Sequence, residues 1–71
     1  MTIDQLRKAI KDGKMFISYN GERFKSIKDN NFITVKNESG VERKIMDSEN
    51  ADFFMQAQLN GEPITEEEYN K

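Results

Sequence analysis

Between Lys14 and Lys28 the chain reads KMFISYNGERFKSIK, and the other elements can be placed relative to this segment. Its centre, Asn20-Gly21, is the strongest short-range signal for a β-hairpin. A type I′ turn needs a positive φ at both central residues, and Asn and Gly tolerate that best. A two-residue loop predicts that Ile17 faces Phe24. Because side chains alternate along a strand, this register divides the hairpin into an apolar face and a basic one.

Two further turn signals extend the hairpin into a sheet. Asp29-Asn30 predicts a second two-residue turn, since both residues tolerate left-handed conformations. Glu38-Ser39-Gly40 suits a three-residue loop that ends in a left-handed glycine. Together these turns pair Ser26 with Ile33, Phe24 with Val35, Ile33 with Ile45, and Arg43 with Val35. Their agreement favours a four-stranded meander with strands near 14–19, 22–28, 31–37 and 41–46.

The two faces of this predicted sheet differ in character. One face collects apolar side chains and is expected to be buried: Met15, Ile17, Tyr19, Phe24, Ile33, Val35, Val41 and Ile45. The other face carries Arg23, Lys25, Lys36 and Lys44, with Phe16, Ile27, Phe32 and Met46 along one edge.

Helices are predicted on both sides of the meander. Thr2 and Gln5 form a capping box for a helix over residues 3–12, which Gly13 ends. Its apolar stripe consists of Ile3, Leu6, Ala9 and Ile10. Ser48 can cap a second helix that ends at Asn60-Gly61. The predicted stripe of that helix is Ala51, Phe54, Met55 and Leu59, with Phe53 beside it.

The last ten residues form a separate feature. Pro63 prevents the second helix from continuing. Thr65 and Glu68 form another capping box, with Ile64 and Tyr69 at the hydrophobic-staple positions. We therefore expect one helical turn within residues 62–71, either docked on the domain or frayed as an acidic tail.

These elements predict one small α+β domain over residues 1–71. It has an N-terminal helix, a four-stranded antiparallel meander and a C-terminal helix. The alternative is a small SH3-like barrel with flanking helices, in which the sheet curls strongly.

Composition excludes several classes of function. The 71 residues contain no Cys and no His, which removes thiolate chemistry, the commonest metal ligand and the commonest general base. We expect no catalysis, no cofactor and no metal site. No apolar run approaches the ~20 residues of a membrane span, and nothing resembles a signal peptide. The expected location is the cytoplasm.

Charge is unevenly distributed along the chain. Residues 1–46 hold ten Lys and Arg against six acids, whereas residues 47–71 hold one Lys against seven acids. Spaced carboxylates can select a basic protein cleft, or they can merely solubilise a tail. The candidate acidic surface consists of Asp47, Glu49, Asp52, Glu62, Glu66, Glu67 and Glu68.

The basic face of the sheet is the alternative candidate site. Its Lys and Arg side chains could contact phosphates while its aromatic rings stack on bases. The competing interpretation is that aliphatic stems cover the sheet while the charged heads stay in water. The candidate residues are Phe16, Arg23, Lys25, Phe32, Lys36 and Lys44.

The layout of the chain also resembles that of some small phage anti-CRISPR proteins. The resemblance lies in Met1-Thr2-Ile3-Asp4-Gln5-Leu6, in Ile10-Lys11, in Ser48-Glu49-Asn50 before a helix, and in Asn60-Gly61 at its end. The Lys-, Asn-, Glu- and Ile-rich composition is similar to that of small bacteriophage accessory proteins. The anti-CRISPR proteins that the chain resembles use carboxylates to block the DNA-reading cleft of an RNA-guided nuclease. The resemblance therefore implies a broad class of function, that of a non-enzymatic inhibitor.

We therefore expect a small protein-binding inhibitor or adaptor that acts on a host macromolecule, such as a nucleic-acid-processing or defence enzyme. The partner would be a protein or a protein–nucleic acid complex in the host cytoplasm. A nucleic-acid-binding module is one alternative. A structural or assembly subunit, which would form an oligomer through strand 41–46 or through Phe53 and Tyr69, is the other.

Overall fold

The structure is a computed structural model that describes residues 1–30, 32–46 and 51–71, with Ala51 described for its backbone only. The proposed cap Ser48 and the candidate acids Asp47 and Glu49 lie outside the described residues. In chain order the elements are α1 (Ile3–Asp12), β1 (Lys14–Tyr19), β2 (Glu22–Ile27), β3 (Phe32–Lys36), β4 (Glu42–Met46), α2 (Ala51–Asn60), β5 (Glu62–Pro63) and α3 (Glu66–Asn70).

The predicted α+β architecture is confirmed. The strands form one open antiparallel sheet in the order β4-β3-β2-β1-β5. Since β4 and β5 are the two edges of an open sheet, the alternative of a closed SH3-like barrel is wrong.

The first hairpin has the predicted turn and register. Asn20 and Gly21 have φ of 52° and 77°, as a type I′ turn requires. Ile17 lies opposite Phe24, and both side chains are buried. The capping box of α1 is also confirmed, and Gly13 ends that helix in the left-handed region.

The second turn differs from the prediction without changing the register. The amide of Asn30 donates to the carbonyl of Ile27 at 3.2 Å, and Asp29 has a φ of 75°. The turn is therefore centred on Lys28-Asp29 rather than on Asp29-Asn30. The predicted pairs Ser26–Ile33 and Phe24–Val35 form nonetheless, because register depends on the number of residues between the strands.

The third turn is confirmed, but one residue near it was misplaced. Gly40 has a φ of 84°, and the amide of Asn37 donates to the carbonyl of Val41 across the loop at 3.0 Å. Ile33 lies opposite Ile45 as expected. Val41 was predicted to be buried and is 61% exposed. It closes the loop at one end of an edge strand, outside the core cluster.

A fifth strand was not predicted. Pro63 blocks the helix as expected, but Glu62 and Pro63 then pair with Ser18 and Ile17. The pairing continues one residue further, where the amide of Ile64 donates to the carbonyl of Phe16 at 3.0 Å. Proline is tolerated on an edge strand because that position requires no donor on its outer side. This strand makes β1 an interior strand and directs the chain onto the second face of the sheet.

Helices α1 and α2 cover the apolar face of the sheet. The buried core is formed by Met15, Ile17, Phe24, Ile33, Val35 and Ala57, with Met1, Leu6, Ala9, Tyr19, Ile45, Phe53 and Phe54 packed against it. The predicted apolar stripe of α2 was partly wrong, because Met55 and Leu59 are 51% and 59% exposed. Among the side chains of α2 that the structure describes, Ala57 is the buried one, and the ring of Phe53 lies 5.4 Å from that of Phe24.

Gly61 explains why α2 turns this face to the sheet. A Cβ atom at Gly61 would lie 2.5 Å from both the Ala57 carbonyl oxygen and Ile17 Cγ2. The helix ends at Asn60 as predicted, but the φ of Gly61 is not positive, so this glycine is not a left-handed cap. Gly61 is needed for space. Small residues at positions 57 and 61 let the helix end approach β1 closely.

The amino group of Met1 lies at the same end of α2. It donates to the carbonyl oxygens of Gln58 at 3.0 Å and of Gly61 at 2.8 Å. A positive charge is favourable beside the unsatisfied carbonyls at a helix C-terminus. The start of α1 is therefore attached to the end of α2.

Candidate functional site

The second face of the sheet is occupied by α3. This helix is short, and its capping box is complete. The Thr65 hydroxyl accepts the Glu68 amide at 3.1 Å, while Glu68 Oε1 accepts the Thr65 amide at 3.2 Å. Tyr69 is 1% exposed, and the centroid of its ring lies 5.9 Å from that of Phe16. A single buried aromatic side chain therefore anchors the last turn of the chain.

Basic side chains of β2 and β3 hold the end of α3. Arg23 Nη1 donates to the carbonyl oxygens of Glu68 at 2.9 Å and of Lys71 at 2.6 Å. Lys36 Nζ donates to the carbonyl of Tyr69 at 3.2 Å. The last carbonyls of a helix have no partner within it, and they carry the negative end of its dipole. Here two cationic side chains of the sheet donate hydrogen bonds to these carbonyls and also place positive charge at the negative end of the dipole.

The ring of Tyr69 is also contacted on its face and at its hydroxyl. The amino groups of Lys25 and Lys36 lie 5.1 Å and 5.2 Å from its centroid, within the range of cation–π attraction. The hydroxyl donates to Glu42 Oε2 at 2.7 Å. Burial raises the pKa of Tyr69 well above its usual range, and the hydrogen bond and negative charge of Glu42 raise it further. The nearby Arg23 opposes this shift only in part.

This arrangement accounts for most of the basic face that the sequence indicated as a nucleic-acid site. Phe16, Arg23, Lys25 and Lys36 all contact α3 or Tyr69. The remaining two residues pair with each other toward the β4 edge, where Lys44 Nζ lies 4.6 Å from the centroid of the Phe32 ring. The aromatic and cationic side chains of this face of the sheet thus pack against Tyr69 of the same chain.

Sequence reasoning missed Tyr69 as the occupant of this face. The capping box and the staple positions predicted the helical turn, but they carry no information about where it packs. One signal was available, because a buried tyrosine needs apolar contact for its ring and a polar partner for its hydroxyl. The aromatic and basic face of the sheet supplies both.

The candidate acids do not form one surface. Glu62 lies on β5, and Glu66 and Glu67 begin α3; all three are exposed. We call these three residues the acidic edge. Glu66 Oε1 lies 4.0 Å from Lys14 Nζ, a contact between two exposed groups. Glu68 is engaged in the cap of α3.

Asp52 is separate from the acidic edge. It lies in the first turn of α2, nine residues before Gly61. At 1.5 Å per residue this places it about 13 Å along the helix from the β5 end. The candidate acids that the structure describes are therefore divided between β5 and α3 on one side and the opposite end of α2 on the other.

The arrangement offers protein contacts rather than recognisable reaction chemistry. Within residues 1–30, 32–46 and 51–71, no three acidic side chains cluster in a way that could hold a metal ion. The expected absence of catalysis, cofactor and metal stays a prediction. In the same part of the chain, none of the helices is both long and apolar enough to cross a lipid bilayer.

Comparison with known proteins does not assign the chain to a class. No protein-family model matches it, and neither the curated proteins nor the solved structures include a significant match. Its function has to be inferred from its own surfaces.

Proposed function

We propose that this chain is a small non-enzymatic protein-binding inhibitor or adaptor whose acidic edge docks into a basic cleft of its partner. The observation that carries this proposal is the anchorage of α3 by Tyr69 and Arg23. It holds the carboxylates of Glu66 and Glu67 on the sheet instead of leaving them on a loose tail. Charges that are held in place before binding lose less conformational entropy on association.

The same geometry, together with the resemblance noted in the sequence, supports a proposal for the class of partner. Exposed carboxylates along a sheet edge can occupy positions that phosphates take in a basic cleft, and they steer the encounter. We propose a host nucleic-acid-processing or defence enzyme, alone or bound to nucleic acid, as the target of a phage-type protein. The acidic edge takes the exposed candidate acids of β5 and of the start of α3, which are successive elements of the chain.

Nucleic-acid binding through the basic face has less support. A phosphate there would compete with the carbonyl oxygens that Arg23 and Lys36 already bind. It would also have to displace Tyr69, which is almost fully buried. Of the six candidate residues of the basic face, this leaves Lys44 and Phe32, and two residues are a small surface for binding a nucleic acid.

The proposal is tested by neutralising the acidic edge. The immobilised chain is used to capture partners from bacterial lysate, and the captured protein is identified by mass spectrometry. Its association kinetics are then measured against the wild type and against the triple variant Glu62→Gln, Glu66→Gln, Glu67→Gln. We expect association to slow by about tenfold or more and to depend less on salt, because rim charges act mainly on the encounter rate.

A matched control carries the same change in net charge elsewhere. Asp4→Asn, Asp12→Asn and Glu38→Gln remove three exposed acids from α1 and the third turn. This control should associate at close to the wild-type rate, with the fold of both variants checked by circular dichroism. Wild-type kinetics for the acidic-edge variant would contradict the proposal.

A further inference from the structure

A groove lies between α1 and α2 on the side of the sheet away from α3. Its volume is about 320 Å³. Met15 and Ser26 form the floor, α1 contributes one wall through Ala9 and Ile10, and Gln58 of α2 lies on the other side. The two helices meet where Met1 caps the end of α2, and the groove is at the other end of α1, beside Gly13 and Lys28.

The α1 wall of this groove is apolar and exposed. Ile10 is 62% exposed, and Ile3, seven residues earlier on the same side of the helix, is 69% exposed. Leu6 and Ala9 pack against the core, so the isoleucines stand beside the buried stripe of α1. On α2, Met55 lies one turn before Gln58, outside the lining of the groove, and is 51% exposed. An exposed apolar side chain in a groove, here Ile10, with a further one along the same helix, here Ile3, is typical of an interaction site.

The rim of the groove is basic. Lys14 and Lys28 are part of its lining, and none of the lining residues that the structure describes is acidic. Successive residues of a helix are rotated by about 100° around its axis. This rotation places Arg7 and Lys11 beside Ile3 and Ile10 on the solvent side of α1, and both basic residues are exposed. An occupant with carboxylates beside an apolar stripe would match this pattern.

The backbone in the groove favours a helical occupant. Gly13 has its amide bonded to Ala9 and Ile10, while its carbonyl accepts from Lys28. A bound segment would find no strand edge here, so it must satisfy its own backbone hydrogen bonds, as a helix does. The Gln58 amide donates to the Met15 sulfur at 3.5 Å. A thioether is a weak acceptor, so this amide can turn to a better one.

We propose that this groove binds an amphipathic helix of a partner protein, with the apolar stripe of that helix against Ile10 in the groove and Ile3 further along α1, and its flanking acids against the lysines of the rim. The groove adjoins the acidic edge at Lys14, whose Nζ lies 4.0 Å from Glu66 Oε1, but the proposal does not depend on the proposed function. An adaptor with both surfaces would offer an acidic contact and a basic one on different sides of the same sheet.

The probe is a synthetic helical peptide with leucines at i, i+3, i+4 and i+7, flanked by glutamates. Titration into the isotope-labelled chain, followed by NMR, should shift the amide signals of Ala9, Ile10, Lys28 and Gln58. A second peptide with the same leucines but lysines in place of the glutamates should bind about tenfold more weakly or worse. The double variant Lys11→Glu, Lys28→Glu should reverse this preference.

Ile10→Glu tests the apolar wall, and Val41→Glu is its control. The two side chains are equally exposed, at 62% and 61%, but Val41 lies at the loop between β3 and β4. Glutamate is a good helix former, so α1 should persist. We expect Ile10→Glu to weaken binding of the acidic peptide by about tenfold or more and Val41→Glu to leave it unchanged.

Several results would overturn the proposal. These are no binding of the acidic peptide, shifts that map to α3 instead of the groove, equal affinity for both peptides, or equal loss in the two variants. Self-association that Ile10→Glu abolishes would show instead that a second copy covers the groove. Sedimentation with anionic lipid vesicles that requires Ile10, without peptide binding, would assign the groove to a membrane surface.

Discussion

Gly61 shows how one residue without a side chain determines the position of a helix. Its backbone lies against β1 and against the preceding turn of α2. Because its φ is not positive, an alanine there would meet steric overlap without backbone strain. Gly40 is the opposite case, since it has a φ of 84° and a Cβ atom added there would have no other atom within 4 Å.

Replacing Gly61 should therefore be costly through packing. We expect Gly61→Ala to lower the free energy of unfolding by about 1–3 kcal/mol, as overpacking a core does, in urea titrations followed by circular dichroism. Gly40→Ala, the control, adds backbone strain only, of about 1–2 kcal/mol, and should not shift the NMR signals of α2. A Gly61→Ala variant that is as stable as the wild type would contradict the close approach.

Tyr69 gives stability a dependence on alkaline pH. Its pKa is raised in the folded state by burial and by Glu42, while an unfolded tyrosine titrates near 10. Above about pH 10 the unfolded chain loses this proton and the folded chain keeps it, so stability falls as pH rises. Below about pH 10 the tyrosine is protonated in both states, so the full contribution of Tyr69 to the free energy of unfolding is present.

Tyr69→Phe should remove this part of the pH dependence. At neutral pH we expect a loss of about 1 kcal/mol from the missing hydrogen bond. The wild type should lose stability faster than the variant between about pH 10 and 11, as urea unfolding at each pH would show. Parallel curves for both proteins over that range would count against a raised pKa at Tyr69.

At the scale of elements, α3 is too short to be stable by itself, since isolated helices need about 12–15 residues. Its persistence depends on the cap at Thr65, the ring of Tyr69 and the cations of the sheet. Arg23 contributes several of these polar contacts, because one of its nitrogens lies within hydrogen-bond distance of three carbonyl oxygens.

Arg23→Ala should loosen α3 selectively. We expect about 1 kcal/mol of lost stability and faster hydrogen exchange at the Tyr69 amide, which donates to the carbonyl of Thr65. Arg43→Ala removes an exposed arginine whose Nη2 lies 3.2 Å from Glu22 Oε2, and it should cost less than about 0.5 kcal/mol. Unchanged exchange in α3 would mean that the cap at Thr65, the ring of Tyr69 and Lys36 hold the helix without Arg23.

At the scale of the whole molecule, one sheet serves two hydrophobic layers. Phe24 and Ile17 face α1 and α2, while Phe16 faces Tyr69 from the opposite side of the same strands. Strand β1 contacts all three helices. A change that disrupts one layer should therefore also destabilise the other, because both pack on the same strands.

We predict one cooperative unfolding transition. The chain has two tyrosines and no Trp, so in a Tyr19→Phe background the intrinsic fluorescence reports Tyr69 alone. Its urea midpoint should coincide with that of circular dichroism, as two-state unfolding requires. An earlier fluorescence midpoint would show that α3 detaches before the sheet unfolds.

The hairpin turns and the helix caps could be predicted from the sequence, because each depends on residues that are close together in the chain. Asn20-Gly21 and the loop ending at Gly40 specify hairpins because few residues accept a positive φ. The length of the first loop then determines the register of Phe24 against Ile17, and the length of the second determines that of Ile33 against Ile45. The two capping boxes were also readable, since a cap joins residues only three positions apart.

The tertiary structure alone decided which surfaces meet. Periodicity favoured Met55 and Leu59 as the buried side of α2, but the close approach permitted by Ala57 and Gly61 turned the helix the other way. Likewise, β5 was not predicted, because a strand of two residues is defined by its neighbour and not by a pattern. The candidate sites changed for the same reason: the basic face, which the sequence offers to phosphates, binds the carbonyls and the ring of its own α3. Contacts between residues more than forty positions apart depend on shape and space, which a linear pattern does not encode.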